Sequence, residues 1–357
     1  MESIHHLLLV STGSKYTLSM NPQELPNLFD SVDDKVADVV GIEIHDESSL
    51  YSTRWLRGLL DLEGIGSVRA LRIAQHFKGV ESLMSAGDKQ VQELVKNKNV
   101  SVLNLRPNDS EIEADYGIQT LGYFDSEYPV GLRDLRDAPA VLWVRGKISS
   151  NKSVAIVGTR NADSRGLMFA NMAAQACIEN GFDVVSGLAL GIDTAAHSTA
   201  LASGGLTVAI LACDIRHPIP KSNLNLANNI LAQGGCLVSE VPLGSEANAK
   251  ALVARNRIQA AWSSCLLMPQ CGIPSGTLHT VRFAMEIERK IGVFRPPIGS
   301  DDIAFSGNTA LLKHSGCDPK ILGGNSKASE RILSRTPFAD KEIASRKDIV
   351  DFLKEIV

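Results

Sequence analysis

Three stretches of this 357-residue chain combine glycines with hydroxyl side chains, the first of them with arginines as well, in a pattern that suits an anion. The first, Gly158-Thr159-Arg160 followed by Ser164, Arg165 and Gly166, ends an apolar run and opens a helix-like segment. Glycine lets backbone approach a ligand, a helix start offers unpaired N–H groups, and arginine presents a planar fork of donors to phosphate. The spacing is not G-x-G-x-x-G, so a dinucleotide fingerprint is absent. The second stretch runs from Ser186-Gly187 through Gly191 and Asp193 to His197, with Asp193 expected to cap a helix and His197 to hydrogen-bond locally. The third is Pro269 to Thr277, where the hydroxyls of Ser275 and Thr277 beside Gly276 form another anion cradle. Arg255-Asn256-Arg257, in the helix before that loop, places two more arginines against consecutive phosphates. The expected phosphate-binding set is therefore Gly158, Thr159, Arg160, Ser164, Gly166, Ser186, Gly187, Gly191, Asp193, Arg255, Asn256, Arg257, Ser275, Gly276 and Thr277.

The same residues argue against catalysis. Ser186, Asp193 and His197 are the residue types of a hydrolytic triad, yet no nucleophile elbow surrounds the serine. The eight histidines are scattered without an H-E-x-x-H pattern, and the six cysteines never form a C-x-x-C pair. Reduced core thiols, no metal, no cofactor and no catalytic residue are the expectation.

Positioning such loops requires a sheet. Apolar runs at residues 154–157, 184–185, 206–212, 236–239, 265–268 and 291–294 alternate with helical stretches. That alternation predicts a doubly wound, Rossmann-like α/β fold whose parallel strands are covered on both faces. In such sheets ligands bind beyond the carboxyl ends of the strands, where the three loops begin. The expected organisation is an accessory segment at 1–50, a helical hairpin domain at 51–100, a lead-in packing on the sheet at 101–150, the Rossmann-like domain at 151–320 and a tail at 321–357 that ends in a short amphipathic helix. Within 51–100, Glu63-Gly64-Ile65-Gly66-Ser67 joins two helical runs like the turn of a helix-hairpin-helix, with Arg57, Arg69 and Arg72 nearby; it serves either phosphate contact or a tight turn.

Hydrophobic content of 44% with 21% charged residues is that of a globular protein. No apolar run approaches the roughly 18 residues of a membrane span, so a cytoplasmic, non-membrane protein is expected. A net charge of −4 gives no global attraction for nucleic acid, and any binding must rest on a local patch.

Taken together, the segments resemble the DNA processing protein A family (DprA). The resemblance is carried by Val154-Ala155-Ile156-Val157-Gly158-Thr159-Arg160, the run Ser186 to His197, Ser239-Glu240, Arg255-Asn256-Arg257 and Ser275-Gly276-Thr277-Leu278, with Tyr128-Pro129 and Ala138 to Gly146 as the lead-in. It covers roughly residues 51–320. It implies a single-stranded-DNA-binding protein, not an enzyme, that dimerises through its sheet domain and assists a RecA-type recombinase in DNA processing, transformation or repair. The departures are Leu190 where the family often has lysine, Leu252-Val253-Ala254 where it has Phe-Pro, Met268-Pro269-Gln270 where it has an acidic residue, and Ala212 to Arg216 without the usual glycines. Two other functions use the same fold. A nucleoside-monophosphate phosphoribohydrolase would use Ser275-Gly276-Thr277 with Glu286, and a small-nucleotide sensor would use the anion edge alone.

Overall fold

The computed structural model describes residues 5–11, 14–20, 49–108, 116–245, 248–297, 303–313, 319–322, 332 and 337–356. Two compact units result, Met1–Ser49 and Leu50–Val357. In the first, β1 (His5–Ser11) and β2 (Ser14–Met20) form an antiparallel hairpin. The acidic end of the expected accessory segment lies outside the described residues.

The second unit begins with α1 (Thr53–Leu60), α2 (Ser67–Phe77) and α3 (Val80–Val95). The apolar faces of these helices bury Leu56, Leu59, Ile73, Ala74 and Leu83 in one core with the lead-in. The hairpin turn has Gly64 at φ +69°, a conformation glycine adopts without strain. Arg69 donates to Gly64 O at 2.6 Å and Val95 O at 3.0 Å, Arg57 to Asn108 Oδ1 at 3.0 Å, and Arg72 to Leu94 O at 3.4 Å. The three arginines thus brace the helices internally.

The lead-in supplies a strand at 118–122 that its mixed composition hid, beside the apolar run at 141–146 that reads as a strand in the sequence. β3 (Ile118–Gly122) and β4 (Val141–Gly146) pair antiparallel, and β4 joins the main sheet against the strand at Cys236–Ser239. The remaining strands and helices alternate: β5 (Ser153–Ile156), α4 (Ser164–Glu179), β6 (Asp183–Ser186), α5 (Ile192–Ala202), β7 (Thr207–Leu211), α6 (Leu224–Ala232), β8 (Cys236–Ser239), α7 (Ala249–Trp262), β9 (Cys265–Met268), α8 (Thr277–Glu286), β10 (Lys290–Phe294) and α9 (Ser306–Leu312). β11 (Lys341–Ile343) and α10 (Arg346–Lys354) follow, so the tail adds an edge strand before its expected helix.

The nine strands lie in the order β11-β10-β9-β5-β6-β7-β8-β4-β3, with all neighbours from β11 to β8 parallel. The central strands are buried along their length, as strands covered on both faces must be. Residues of α4, α5 and α10 pack on one face, and residues of α8 and α9 on the other. The chain winds from β5 outward to β8 and then returns to place β9 on the opposite side of β5. The crevice between β5 and β9 is therefore the topological switch point, where the loops after adjacent strands diverge.

Candidate functional site

A cavity of about 400 Å3 opens at that switch point. Its walls come from the loop after β5 (Val157, Gly158, Thr159, Arg160), the loop after β6 with the first turn of α5 (Ala189, Asp193), one side of α7 (Leu252, Val253, Arg255, Asn256, Gln259), and the loop after β9 with the start of α8 (Pro274, Ser275, Gly276, Thr277, Thr280). The structure thus brings nine of the expected residues together: Gly158, Thr159, Arg160, Asp193, Arg255, Asn256, Ser275, Gly276 and Thr277.

Close backbone packing explains Gly158 at the cavity and Gly191 just behind it. A side chain on Gly158 would place its Cβ 2.5 Å from Ile192 Cγ1 and 2.8 Å from Gln270 O. One on Gly191, at φ +74°, would meet Thr159 O at 2.4 Å and Arg160 O at 2.6 Å. Hydrogen bonds stitch the same loops together: Thr159 N donates to Gln270 O at 2.9 Å and Ile192 N to Thr159 O at 3.2 Å. The three loops form one rigid rim, and Gly158 and Gly191 serve their mutual contact. Arg160 stands exposed on this rim, and no carboxylate pairs with it among the described residues.

Six expected residues lie elsewhere, each for a local reason. Ser164 is exposed at the start of α4 outside the cavity, and Gly166 is buried against the Gln270 side chain, whose Oε1 would sit 2.0 Å from an added Cβ. Nor is the N-terminus of α4 open to an anion. Asp163 caps it, accepting from Arg165 N at 3.0 Å and Gly166 N at 2.9 Å. Ser186 is wholly buried and donates to Ile156 O at 2.7 Å. Gly187 and Gly191 lie in the loop wall rather than on the cavity surface.

Arg257 departs furthest from expectation. Its Nη2 donates to Glu240 Oε2 at 2.6 Å and its Nε lies 2.9 Å from Asp137 Oδ2, so it clasps the lead-in to α7 on a different side of the helix. Residues two apart on a helix point about 200° apart, so Arg255 and Arg257 cannot face one ligand together. Both are buried, at 6% exposure each.

Asp193 likewise departs from its expected place. Gly191 is the N-cap of α5, and Asp193 sits in the first turn, where Oδ2 turns back to accept from Gly187 N at 3.1 Å and Ala189 N at 3.4 Å. Burial pushes its carboxyl above the ordinary range, while Arg255 at 3.9 Å and these amides pull the other way. His197 hydrogen-bonds locally. Its Nδ1 is 2.7 Å from Thr207 Oγ1, whose own proton goes to Val184 O, and its Nε2 accepts from Leu188 N at 3.3 Å. That network assigns the neutral tautomer with Nδ1–H. Burial, reinforced by Arg255, lowers its pKa to about 3. Both ring nitrogens are thus spent on structure, and Ser186 has no path to His197 as a nucleophile.

Four polar or rim residues escaped sequence reasoning: Gln259, Thr280, Leu252 and Val253. Helical spacing carried the information, since Gln259 lies one turn beyond Arg255 and Thr280 one turn beyond Thr277. Asn256 Nδ2 donates to Gly276 O at 3.1 Å and joins the two helices across the floor. Glu286, the acid that a phosphoribohydrolase reading would use, pairs with Arg282 at 2.9 Å at the far end of α8 and is outside the cavity. Among the described residues no group of three His, Cys, Asp or Glu side chains is placed to hold a metal, and no helix is long and apolar enough to cross a membrane. An exposed arginine, hydroxyls and loop backbone over a polar floor, with apolar side chains at the edge, are chemically suited to a phosphate group.

The cavity lies within the stretch that matches a known family. The family model for DNA recombination-mediator protein A matches residues 119–318. Protein Smf of Synechocystis sp. is 32% identical over 298 residues, covering 78% of this chain and 72% of the relative. The chain spans 48% and 60% of two further curated relatives, from Escherichia coli and Bacillus subtilis. Among solved structures, DNA processing protein A from Streptococcus pneumoniae superposes with a TM-score of 0.64 at 24% identity, over 85% of this chain and 97% of that one. DNA processing protein A from Helicobacter pylori gives 0.52 at 22% identity, over 68% and 98%. At these identities the two structures establish the shared fold.

Proposed function

The chain belongs to the DNA recombination-mediator protein A family, and from that premise we propose that it binds single-stranded DNA across the cavity at the β5/β9 switch point. The observation that carries this reading is the exposed, unpaired Arg160 on a rim built from three interlocked loops. A strand's backbone passes over the rim with one phosphate on Arg160 and the Ser275–Thr277 loop, and adjoining groups lie against Leu252 and Val253. The Helicobacter pylori relative of the same fold is described with a single-stranded DNA binding mode, which supports the assignment. The protein acts as a binding protein rather than an enzyme, presenting the strand to a RecA-type recombinase as a homodimer in the cytoplasm.

Thr159, Asn256, Ser275, Gly276 and Thr277 supply the neutral contacts, and Asp193 and Arg255 shape the floor. Fluorescence anisotropy of a labelled single-stranded oligonucleotide, with duplex and salt controls, tests this. Arg160→Ala is expected to weaken binding by about 1–2 kcal/mol, the range of a charge-assisted contact. Wild-type affinity in the folded variant would remove the proposed groove.

A further inference from the structure

Arg255 lines the cavity, yet its guanidinium is turned toward the protein. Nη1 lies 3.3 Å from Ile210 O at the end of β7 and 3.9 Å from Asp193 Oδ2. With the Gln259 amide oxygen turned inward, that oxygen accepts from both Arg255 Nη1 and Gly187 N at 3.0 Å. Gly187 has no room for anything larger, because an added Cβ would fall 1.1 Å from Arg255 Nη1. The absence of a side chain at 187 is therefore matched to the arginine and not to a ligand.

Contacts continue outward from there. Asp193 gathers the amides of Gly187 and Ala189, and Leu188 between them sits at φ +60°, held by Leu188 N on His197 Nε2 and by Asn223 Nδ2 on Leu188 O at 2.7 Å. A left-handed leucine persists only where its surroundings over-determine it. The loop then reaches Gly191, packed on Thr159 O and Arg160 O, and Ile192, whose amide bonds Thr159 O.

We propose that Arg255 is a positioning residue: it fixes the 187–193 loop, and through Gly191 and Ile192 it holds Arg160 at the rim, while contacting no phosphate itself. The proposal rests on the reading of the cavity as a DNA site for its binding readout alone. Hydrogen exchange at the Ile192 amide, measured without DNA, reports the same loop independently.

Two variants test it. Gly187→Ala leaves every charge in place and displaces the Arg255 guanidinium. Arg255→Lys keeps the charge and loses the planar fork. Each is expected to bind the oligonucleotide about tenfold more weakly with the wild-type salt slope, and to exchange the Ile192 amide at least about tenfold faster. If Arg255 instead met a phosphate directly, its removal would lower the slope by about 0.7 for a single strand. Adding Gly187→Ala to Arg255→Ala is expected to change affinity by less than about twofold, because the clash partner is gone. Wild-type affinity and exchange in either single variant, or a slope reduced by about 0.7 in Arg255→Ala, would overturn the proposal. Should Gly187→Ala fail to fold, Arg255→Lys decides by the same readouts. If the wild type binds no oligonucleotide, the DNA reading falls and Ile192 exchange alone decides the role of Arg255.

Discussion

Replacing Arg257 by alanine separates two meanings of the Arg255-Asn256-Arg257 run. If Arg257 met phosphate, its removal would weaken DNA binding and spare the fold. The geometry requires the reverse. Its side chain is 7% exposed and bonded to Glu240, itself 17% exposed, and to Asp137, which is 55% exposed. The Asp137 pairing, half in water, contributes no more than about 1 kcal/mol. Glu240 is different: burial already pushes its carboxyl above the ordinary range and Arg257 opposes that push. Without the arginine a buried carboxylate is stranded, and breaking a pair in this way costs about 3–5 kcal/mol. Urea unfolding at pH 7 is expected to show that deficit, while anisotropy of the folded protein retains the wild-type salt slope. Adding Glu240→Gln should recover part of it, with a coupling of at least about 1 kcal/mol, since no charge is then left alone. Acid should narrow the deficit too, because a folded-state carboxyl raised above its unfolded value binds its proton more readily in the native state. A deficit under about 1 kcal/mol, or a salt slope reduced by about 0.7, would refute the clasp.

Other consequences are equally direct. With His197 lowered to about 3 from 6.5, its contribution is whole above pH 6.5 and fades as pH falls toward 3; wild type should lose about 2 kcal/mol between pH 7 and pH 5 that His197→Asn does not, measured as the difference in their urea midpoints. At Asp214, burial raises the carboxyl but the bonds from Arg216 and from Gly244 N prevail and hold it at about 2. Its contribution is therefore present above about pH 4 and lost below, and Asp214→Asn should cost about 2 kcal/mol at pH 7 in the same assay. Gly131→Ala would set its Cβ 2.2 Å from Ala261 O, a backbone atom that cannot step aside; a drop of about 1–3 kcal/mol in unfolding free energy is expected, and a neutral result would mean that the lead-in docks loosely on α7.

The sheet was readable because buried parallel strands need unbroken apolar runs, and 154–157, 236–239, 265–268 and 291–294 carry them. β3 was not, since Ile118-Gln119-Thr120-Leu121-Gly122 has mixed polarity and gains its strand from pairing with β4. β11 has three residues, too few for any period to show. The loops of the cavity were legible from glycine and hydroxyl content, but the reasons for the glycines were not. Gly187 answers to a side chain far along the chain, at 255, and only tertiary packing reveals it. Asp193 was misplaced because Gly191 takes the cap and frees the carboxylate to bind the loop behind it. The position of Arg257 outside the cavity was legible in advance, since helical geometry alone separates it from Arg255.

The return of the chain to place β9 beside β5 sets an order of events during synthesis. When β5 through β8 have emerged, one edge of the central strand still lacks its neighbour, and the loop holding Arg160 has neither Gln270 beneath it nor Ser275–Thr277 opposite. The nascent chain therefore has no cavity at the switch point until the segment through α8 has been translated, and until then it exposes an unpaired strand edge in the middle of its future core. The cavity and the core are completed together, so a chain truncated before β9 is expected to be a client for chaperones.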